Sequence, residues 1–502
     1  MAKYRPLSAV VLAAGEGTRM KSSLPKVLHP LCGRPMLLHV LAALAELPLD
    51  KIVVVVGHGA DTVMAATQAG YRGDVKVEFV EQRTRRGTGD ATSVALTAFA
   101  EELDAEDDII VVTGDAPLLR AETLAHLARE HRMVEAAASL LTARLADPTG
   151  YGRIVRDKHG GVAHIVEQAD ATPEELLVDE VNPSIYCFRR SLLAPALRRL
   201  SPENAQGEYY LTDVVSVLRD AGHPVLGIEA PDAKETVGVN DRAQLAEAEA
   251  ELRARINLRW MREGVSITDP AGTYVDADVE LEPDVTLLPG TLLQGRTVVH
   301  AHAVIGPHSQ LVDTVVGERA VVRQTVAREA EIGDDATVGP FVSLRPGTVL
   351  ATGAHVGTFV ETKNAQIGED AKVPHLAYVG DAEIGARANI GAGTITANYD
   401  GKHKHRTKVG EGARTGSNSV LVAPVELGAG AYTGAGAVVT KDVPPGALAK
   451  GVPAQVDEGW AARRDASSSE DDGSREDDGS REDDGTREDD GSGGEDRTAG
   501  GN

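Results

Sequence analysis

The chain has 502 residues, 53 of them glycine, with only 3% aromatic residues and a formal net charge of −25. The acidic excess argues against a nucleic-acid-binding protein, because such proteins need a basic surface to neutralise phosphates. The composition argues against an aromatic-rich core and favours a fold of small, regular turns. At roughly 100–200 residues per domain, this length predicts two or three domains.

The sequence carries no signal of secretion or membrane insertion. No apolar run reaches the roughly 18 residues of a membrane span, and the first residues lack a secretory-signal pattern. Two cysteines, Cys32 and Cys187, do not make a disulfide framework, and we expect small buried side chains or bystander thiols. These features predict a cytoplasmic protein with no membrane span.

The N-terminal half alternates between strand and helix patterns. Short apolar runs end in glycine or acidic turns at Ser8–Ala13, Ile52–Val56 and Asp108–Val112. Helical patterns lie between them, for example at Met36–Ala45 and Glu122–Glu130. Near-continuous apolar strands separated by helices predict a parallel sheet covered on both faces. Ligands of such sheets bind at the carboxyl ends of the strands, where these turns fall.

One long helix is predicted at Asp241–Arg262. Asn240 or Asp241 can cap its start, and leucine and isoleucine recur behind it at helical spacing. Glu and Arg dominate the remaining face. We interpret this segment as a linker helix between two domains.

From about Val265 to Ala454 the pattern becomes a repeat. Small residues follow aliphatic ones at fixed offsets, as in Ile332-Gly333-Asp334-Asp335-Ala336. A six-residue period with inward aliphatic side chains and glycine at the turns is typical of a parallel β-helix, and about 190 residues predict on the order of ten coils. The periodic positions are Ile332, Val338, Leu344, Leu350, Val356, Ile367, Val373, Val379, Val409, Thr415, Leu421, Leu427, Thr433 and Val439.

The repeat is expected to be interrupted only once, and an acidic tail follows it. Thr396–Thr407 interrupts the period with Asn398-Tyr399-Asp400-Gly401 and a basic stretch, and such insertions in solenoids are loops that are often functional. Residues 465–502 contain 15 Asp or Glu and 4 Arg, so 11 of the 25 net negative charges lie there. Without apolar side chains able to bury surface, this tail is expected to be disordered.

The first strand runs into a glycine loop with basic residues behind it, Leu12-Ala13-Ala14-Gly15-Glu16-Gly17-Thr18-Arg19-Met20 and then Leu24-Pro25-Lys26. Backbone N–H groups of such a loop can hold an anion, and two cations suit a polyphosphate. A tight structural turn is the alternative reading. A dinucleotide site fits poorly, because the third glycine is missing. Strand, loop, Arg and Lys together favour nucleoside triphosphate binding.

Leu12 through Lys26 resembles the signature of sugar nucleotidyltransferases. With the hexapeptide repeat, residues from about Ser8 to Pro453 resemble the bacterial bifunctional family of N-acetylglucosamine-1-phosphate uridylyltransferases and glucosamine-1-phosphate N-acetyltransferases. The resemblance implies an α/β Rossmann-like nucleotidyltransferase domain followed by a left-handed parallel β-helix. The expected divisions are a uridylyltransferase domain at 1–240, a linker helix at 241–262, an acetyltransferase β-helix at 263–455, a C-terminal arm at 456–465 and an acidic tail at 466–502.

The resemblance implies that acetyl-CoA acetylates glucosamine 1-phosphate and that the product, N-acetylglucosamine 1-phosphate, reacts with UTP to supply peptidoglycan precursors for cell-wall biogenesis and cell shape. It places Mg²⁺ on Asp115, in the turn Thr113-Gly114-Asp115, and on Asn240, with Arg19 and Lys26 as catalytic cations. A strand-end turn and a helix cap are the alternative readings of Asp115 and Asn240. The implied nucleotide and sugar contacts are Leu12, Ala13, Ala14, Gly15, Lys26, Gln82, Gly87, Thr88, Gly152, Glu167, Asn182 and Asn240.

Acetylation of an amine requires its neutral form, and histidine is the usual base near neutral pH. By resemblance His375 is that base. A solvated face of the solenoid is the alternative reading of the positions around it. The resemblance implies that Arg345, Lys363, Tyr378 and Asn389 bind glucosamine 1-phosphate and that Ala392, Asn398, Tyr399, Ser417 and Ala435 contact acetyl-CoA.

The chain departs from the family in places. Glu16 stands in the glycine loop where a cation is also common, and Lys450 is only the nearest candidate for the contact with the coenzyme A phosphates. Trp460 either anchors the arm or stacks on the adenine of coenzyme A.

Related acyltransferases are usually trimers with active sites between subunits, which implies a homotrimer here. One alternative is a monofunctional nucleotidyltransferase whose β-helix is an oligomerisation scaffold, against which His375, Asn398 and Tyr399 argue. The other is a non-enzymatic assembly protein, against which Asp115 and Lys26 argue.

Overall fold

The computed structural model describes residues 5–99, 107–451 and 454–463. An α/β domain and a β-helix, joined by one long helix, lie within a first unit that ends at Lys450, and residues 451 and 454–463 belong to a second unit. The acidic tail predicted to be disordered lies outside the described residues. None of the helices in the described part of the chain combines the length and apolar character of a membrane span.

The N-terminal domain alternates strands and helices as the sequence predicts. Its strands are β1 (Leu7–Ala13), β2 (Pro30–Leu31), β3 (Arg34–Pro35), β4 (Ile52–Val56), β5 (Val77–Glu81), β6 (Asp108–Thr113), β7 (Ala138–Arg144), β8 (Gly152–Arg156), β9 (Val162–Val166), β10 (Glu180–Asn182), β11 (Tyr186–Arg189) and β12 (Val225–Glu229). Its α-helices are α1 (Met36–Ala45), α2 (Ala60–Gly70), α3 (Thr88–Leu96), α4 (Ala121–Met133), α5 (Arg190–Leu197) and α6 (Asp213–Asp220). Short 3₁₀ turns occur at Thr18–Met20, Lys26–Leu28, Glu175–Leu177 and Ala233–Thr236.

The main sheet has the strand order β5-β4-β1-β6-β11-β7-β10-β8-β9, and β12 pairs with β7. Strands β5, β4, β1 and β6 are parallel, so the turns after β1 and β6 lie at one edge of the sheet. The expectation of a wholly parallel sheet is wrong beyond β6, because β11 pairs antiparallel with both β6 and β7. Strands β10 and β11 follow one another alongside β7, with Glu180 opposite Arg144 and Tyr186 opposite Leu140, so both run antiparallel to β7.

Helices cover both faces of this sheet, as predicted. Along β1 the side chains alternate between two cores, with Ala9 and Val11 in one and Val10 in the other. The alternation follows from the two-residue period of a strand. Cys32 and Cys187 are free thiols and both are buried, which confirms the expectation of small buried side chains.

Helix α7 (Arg242–Arg262) leads from the α/β domain to the β-helix. Asp241 caps it, because its side chain accepts hydrogen bonds from the N–H groups of Ala243 and Gln244, each at 2.9 Å. Near the other end, the buried Asn257 amide donates to two carbonyl oxygens of the first coil, each at 2.9 Å. Trp260 is buried in the core of the β-helix.

The β-helix is a stack of short parallel strands. In chain order these are β13 (Ser266–Ile267), β14 (Tyr274–Val275), β15 (Glu280–Leu281), β16 (Thr286–Leu287), β17 (Leu292–Gln294), β18 (Val298–Val299), β19 (Val304–Ile305), β20 (Gln310–Val312), β21 (Val315–Val316), β22 (Val321–Val322), β23 (Thr325–Arg328), β24 (Glu331–Ile332), β25 (Thr337–Val338), β26 (Val342–Leu344), β27 (Val349–Leu350), β28 (His355–Thr358), β29 (Glu361–Ile367), β30 (Lys372–His375), β31 (Tyr378–Ile384), β32 (Ile395–Ala397), β33 (Thr407–Val409), β34 (Val420–Val422), β35 (Val425–Leu427), β36 (Tyr432–Thr433), β37 (Val438–Val439) and β38 (Leu448–Ala449).

The predicted periodic residues all point inward, and none of the fourteen is more than 5% exposed. This confirms the hexapeptide assignment and the fold class of a left-handed β-helix behind an α/β domain. The prediction that the six-residue period is interrupted only once is wrong, because the coils differ in length. Val321 pairs with Thr337, so that coil has 16 residues, whereas Glu331 pairs with Val349, 18 residues away. Coils lose residues at their corners, because the stacked strands must stay in register.

Glycine is required where successive coils touch. A Cβ added to Gly385 would lie 2.6 Å from the backbone nitrogen of Glu411 and 2.9 Å from the carbonyl oxygen of Val409. These neighbours are backbone atoms, which cannot turn away as a side chain can. At Gly434, in contrast, the nearest atom to an added Cβ is 3.5 Å away, an ordinary contact.

We predict that Gly385→Ala destabilises the β-helix by roughly 1–3 kcal/mol, because the added methyl group forces two coils apart. Gly434→Ala is the matched control, since it adds the same atom where there is room. Thermal unfolding of both variants measures the difference. Equal melting temperatures for the two variants would contradict the tight coil contact.

Candidate active sites

The loop after β1 lies at the edge where ligands of parallel sheets bind. Leu12 and Ala13 end the strand and Ala14 follows it, and a Cβ added to Gly15 would meet no atom within 4 Å, so open space faces the loop here. Gly17 adopts a φ of 66°, and an added Cβ would lie 2.5 Å from Cβ of Lys26. Glycine thus lets the two predicted phosphate-binding segments touch.

Four of the predicted residues meet at this edge. Nζ of Lys26 forms an ion pair with the Asp115 carboxylate and donates to Oδ1 of Asn240 at 2.9 Å. A guanidinium nitrogen of Arg19 donates to the same Oδ1 at 3.0 Å. The backbone joins them too, because the N–H of Val239 donates to the carbonyl oxygen of Asp115 at 2.9 Å. Residues far apart in sequence therefore form one polar cluster.

This cluster fits a hard divalent cation. The Lys26 ammonium already lies between a carboxylate oxygen of Asp115 and an amide oxygen of Asn240, and such cations prefer oxygen ligands. No group of three or more His, Cys, Asp or Glu side chains in the described ranges forms a metal site. Two protein oxygens suit a metal whose remaining ligands are phosphate oxygens and water.

Gln82, Gly87 and Thr88 come together at the start of α3. The buried Gln82 amide donates to the carbonyl oxygen of Gly87 at 3.2 Å and to the Asp90 carboxylate at 2.8 Å. Oγ1 of Thr88 accepts from the backbone N–H of Leu211 at 3.0 Å. Glycine is required at position 87, because φ is 101° and an added Cβ would lie 2.5 Å from the carbonyl oxygen of residue 209.

The predicted sugar contacts lie on the second part of the sheet. Gly152 lies directly beside Glu167, whose Oε1 accepts from Oγ1 of Thr212 at 3.1 Å. Asn182 is buried and donates to the Tyr186 hydroxyl at 2.7 Å. Burial raises the pKa of the Glu167 carboxyl, and the nearby carboxylates of Asp213 and Asp170 add to the shift.

In the β-helix, His375 ends strand β30 and is exposed to solvent. Lys363 lies on β29 and Tyr378 begins β31, while Arg345 directly follows β26. These are successive strands of one sheet of the solenoid, so the three residues lie close to one another. Asn389 lies on a different sheet, in register with Lys372. The structure thus brings most, but not all, of the predicted sugar-phosphate residues onto one face.

Two residues of this face were missed by the sequence analysis. Lys404 lies close to Lys363 and lowers the pKa of its ammonium, and Arg345 lowers it further. Asp381 accepts hydrogen bonds from Asn364 and Asn398. Its burial alone would raise the pKa of Asp381, but these two amides and the neighbouring lysines hold it below the ordinary value. The basic stretch that contains Lys404 was visible in the sequence, but its register against β29 was not.

The predicted acetyl-CoA contacts form two groups. Ala392, Ser417 and Ala435 stack at one corner of successive coils, where the N–H of Asn418 donates to the oxygen of Ala392 and the N–H of Gly436 to that of Ser417. Asn398 and Tyr399 lie in the loop that interrupts the repeat. Lys450 ends the first unit, whereas the half-exposed Trp460 belongs to the second.

A nucleotide-binding edge with a glycine loop and a coiled hexapeptide domain together define a nucleotidyltransferase fused to a hexapeptide transferase. Comparison with known families agrees with this class. Residues 9–221 match the MobA-like NTP transferase domain family. Residues 406–441 match the bacterial transferase hexapeptide (six repeats) family.

Similar proteins named Bifunctional protein GlmU cover nearly the whole chain. The protein from Streptomyces avermitilis is 49% identical over 472 residues, 93% of this chain and 97% of its own. That from Thermobifida fusca is 50% identical over 92% of this chain and 96% of its own, and that from Brevibacillus brevis is 49% identical over 88% and 94%. The chain therefore belongs to the bifunctional GlmU family, and it is both an acetyltransferase and a uridylyltransferase.

The raised pKa of Glu167 predicts a pH-dependent contribution to stability. The native carboxyl keeps its proton at pH values where the unfolded chain, with an ordinary pKa near 4.5, has lost it. The folded state then binds more protons, so the free energy of unfolding falls as the pH rises through this window. In Glu167→Gln, the free energy of unfolding should fall less over the same pH range.

Urea unfolding at several pH values between about 4.5 and 7.5 measures this slope. Glu203→Gln, at an exposed position of the same domain, is the control and should follow the unchanged chain. Identical slopes in all three proteins would contradict the raised pKa.

Proposed function

We propose that the chain makes UDP-N-acetylglucosamine in two steps, one in each of its domains. The β-helix transfers the acetyl group of acetyl-CoA to glucosamine 1-phosphate. The α/β domain then joins N-acetylglucosamine 1-phosphate to the uridylyl group of UTP and releases pyrophosphate. The cluster of Lys26, Asp115, Asn240 and Arg19 carries this proposal, because it gathers metal-binding oxygens and phosphate-binding cations at the ligand edge of the sheet.

For uridylyl transfer, a phosphate oxygen of the sugar phosphate attacks the α-phosphorus of UTP, and the bond to the departing pyrophosphate breaks in line. Two anions must meet, so the chain contributes mainly position and charge neutralisation. Arg19 and Lys26 bind phosphate oxygens, and the glycine loop donates backbone N–H groups. Mg²⁺ held by Asp115 and Asn240 would neutralise further phosphate charge. Gln82 and Thr88 would contact the uracil base, with Glu167 and Asn182 on the sugar.

For acetyl transfer, His375 accepts a proton from the sugar ammonium. The neutral amine attacks the thioester carbon, the C–S bond breaks and coenzyme A leaves as the thiol after taking up a proton. Arg345, Lys363 and Lys404 would bind the sugar phosphate. The mutual repulsion of the two lysines, which lowers the pKa of Lys363, is relieved when a phosphate lies between them.

We propose a homotrimer with acetyl-transfer sites between subunits. Phe341 and Phe359, two of the five phenylalanines of the chain, stack at a centroid distance of 5.4 Å. They are 54% and 58% exposed, and Leu376 on the same corner is 61% exposed. All three have φ between 49° and 58°, which disfavours bulky side chains. An apolar corner held in this way beside His375 suits burial against a second copy of the chain.

The domain divisions predicted from the sequence, the cytoplasmic location and a role in peptidoglycan synthesis belong to this proposal. The α/β domain at 1–240 carries uridylyl transfer, and the β-helix at 263–455 carries acetyl transfer. Lys450 is proposed to contact the phosphates of coenzyme A.

Separate substitutions test the two-site arrangement. We expect His375→Ala to lower acetyl transfer by about 10²–10⁴-fold, the usual contribution of a general base, and to spare uridylyl transfer. Asp115→Ala should lower uridylyl transfer by on the order of 10²–10³-fold and spare acetyl transfer. Thiol release from acetyl-CoA and pyrophosphate release from UTP measure the two reactions.

His302→Ala, at an exposed histidine of another coil, controls for a general effect on the solenoid. Loss of both activities from one substitution in a folded protein would contradict the two-site arrangement. Unchanged acetyl transfer in His375→Ala would remove the proposed base.

The trimer is tested at its apolar corner. Phe359→Asp should convert a particle of three 52.7 kDa chains into monomers, because a carboxylate would be buried in the interface. Acetyl transfer should then be lost while uridylyl transfer remains. Light scattering and the two assays measure this, with Val315→Asp on a face that also carries Glu331 as the control. A trimeric Phe359→Asp with full activity would contradict the interface.

A further inference from the structure

The first turn of helix α7 holds the backbone of Asn240. The N–H of Asn240 donates to Oε1 of Gln244 at 2.8 Å. In the opposite direction, the side chain of Asp241 accepts from the N–H of Gln244. The first N–H groups of a helix have no partner within it. The Asp241 side chain satisfies that of Gln244, and the Gln244 side chain in turn ties Asn240 to the helix.

The side chain of Asn240 is fixed once its backbone is fixed. Its Oδ1 accepts from Lys26 and Arg19, and its Nδ2 donates to the carbonyl oxygen of Gly238 at 3.3 Å. The preceding Val239 is buried and bonded to the turn that carries Asp115. A shift of the backbone at position 240 therefore moves an oxygen to which two cations are bonded.

The same helical turn also reaches the segment that carries Arg19. Nε of Arg242 donates to the carbonyl oxygen of Met20 at 3.3 Å. Met20 directly follows Arg19 in the short turn Thr18–Met20. Both partners of the hydrogen bond between Arg19 and Asn240 are thus held by one turn of α7.

We propose that Gln244 and Arg242 are positioning residues for uridylyl transfer. They contact Asn240 and the Arg19 segment from the side of the linker helix and hold the two at hydrogen-bond distance. The inference rests on the proposed role of Asn240 in the uridylyl site. Displacement of a catalytic group by about 1 Å can cost up to 10²-fold in rate. Loss of one of these hydrogen bonds should therefore lower the rate of uridylyl transfer measurably.

The experiment uses the full chain with Gln244→Ala, Gln244→Glu, Arg242→Ala and Glu247→Ala. Glu247 is exposed on the same helix, so Glu247→Ala controls for the gain in helix propensity that alanine brings. The expected result for Gln244→Ala is a kcat for uridylyl transfer lower by about tenfold, a KM for N-acetylglucosamine 1-phosphate within about twofold of the unchanged chain, and unchanged acetyl transfer. Arg242→Ala should lower the same kcat, and Gln244→Glu, which keeps the acceptor oxygen, should restore it.

A structural readout accompanies the kinetics. Amide hydrogen exchange of the segment that contains Asn240 should become faster in Gln244→Ala and remain slow in Gln244→Glu and Glu247→Ala. Faster exchange with an unchanged kcat would overturn the proposal, because the backbone would then be loosened without consequence for the reaction. An equal loss of kcat in Glu247→Ala would overturn it as well.

Asn240→Ala separates this inference from the proposed function. If Asn240→Ala leaves uridylyl transfer intact, the assignment of Asn240 fails and the positioning role fails with it. If Asn240→Ala lowers uridylyl transfer and Gln244→Ala does not, only the positioning role is wrong.

Discussion

The ammonium group of Lys26 holds together the proposed site of uridylyl transfer. It bonds to Asp115 after β6 and to Asn240 before α7, and so joins three segments that are distant in sequence. Each segment reaches the ligand edge of the sheet through a different local structure. One is a glycine loop after β1, one is an acidic turn after β6, and one is the capped start of α7. The ion pair of Lys26 with Asp115 and its hydrogen bond to Asn240 fix the relative positions of these three segments.

A different constraint governs the β-helix. Coils stack so closely that some positions admit no Cβ, as at Gly385, while the strands keep their register. Differences in coil length are therefore absorbed at corners and in one long loop. The corners also carry the bulky residues at positive φ, Phe341, Phe359 and Leu376. A regular core thus fixes the positions of the irregular, exposed groups, and the residues proposed to react lie among these.

The sequence predicted what depends on local pattern. The six-residue period identified the inward residues of the solenoid, and the glycine loop pointed to Arg19 and Lys26, which the structure brings together at Asn240. It did not predict β11, because the antiparallel placement of this strand between β6 and β7 depends on pairings across the chain. Nor did it predict Lys404 beside Lys363, since their contact depends on how a loop folds back over the next coil.

Both proposed sites bind anions in a chain whose net charge is −25, and the local arrangement of charges explains how. Lys26 is paired with Asp115, and Arg345 with Glu361 at 2.7 Å. These carboxylates hold the cations in place before any substrate binds, so less side-chain entropy remains to be lost on binding. They also cancel much of the local positive charge, so long-range attraction of the substrate is modest.

Phosphate binding therefore depends more on the positions of the cations than on their number. A phosphate that enters must compete with a carboxylate for the same donors, and it succeeds only where several donors converge. Lys363 and Lys404 differ from this case, because two like charges lie together beside Asp381, and Lys404 lowers the pKa of Lys363. An anion bound between them would reduce their mutual repulsion, so this pair gains more from a phosphate than a lysine in a direct ion pair with a carboxylate.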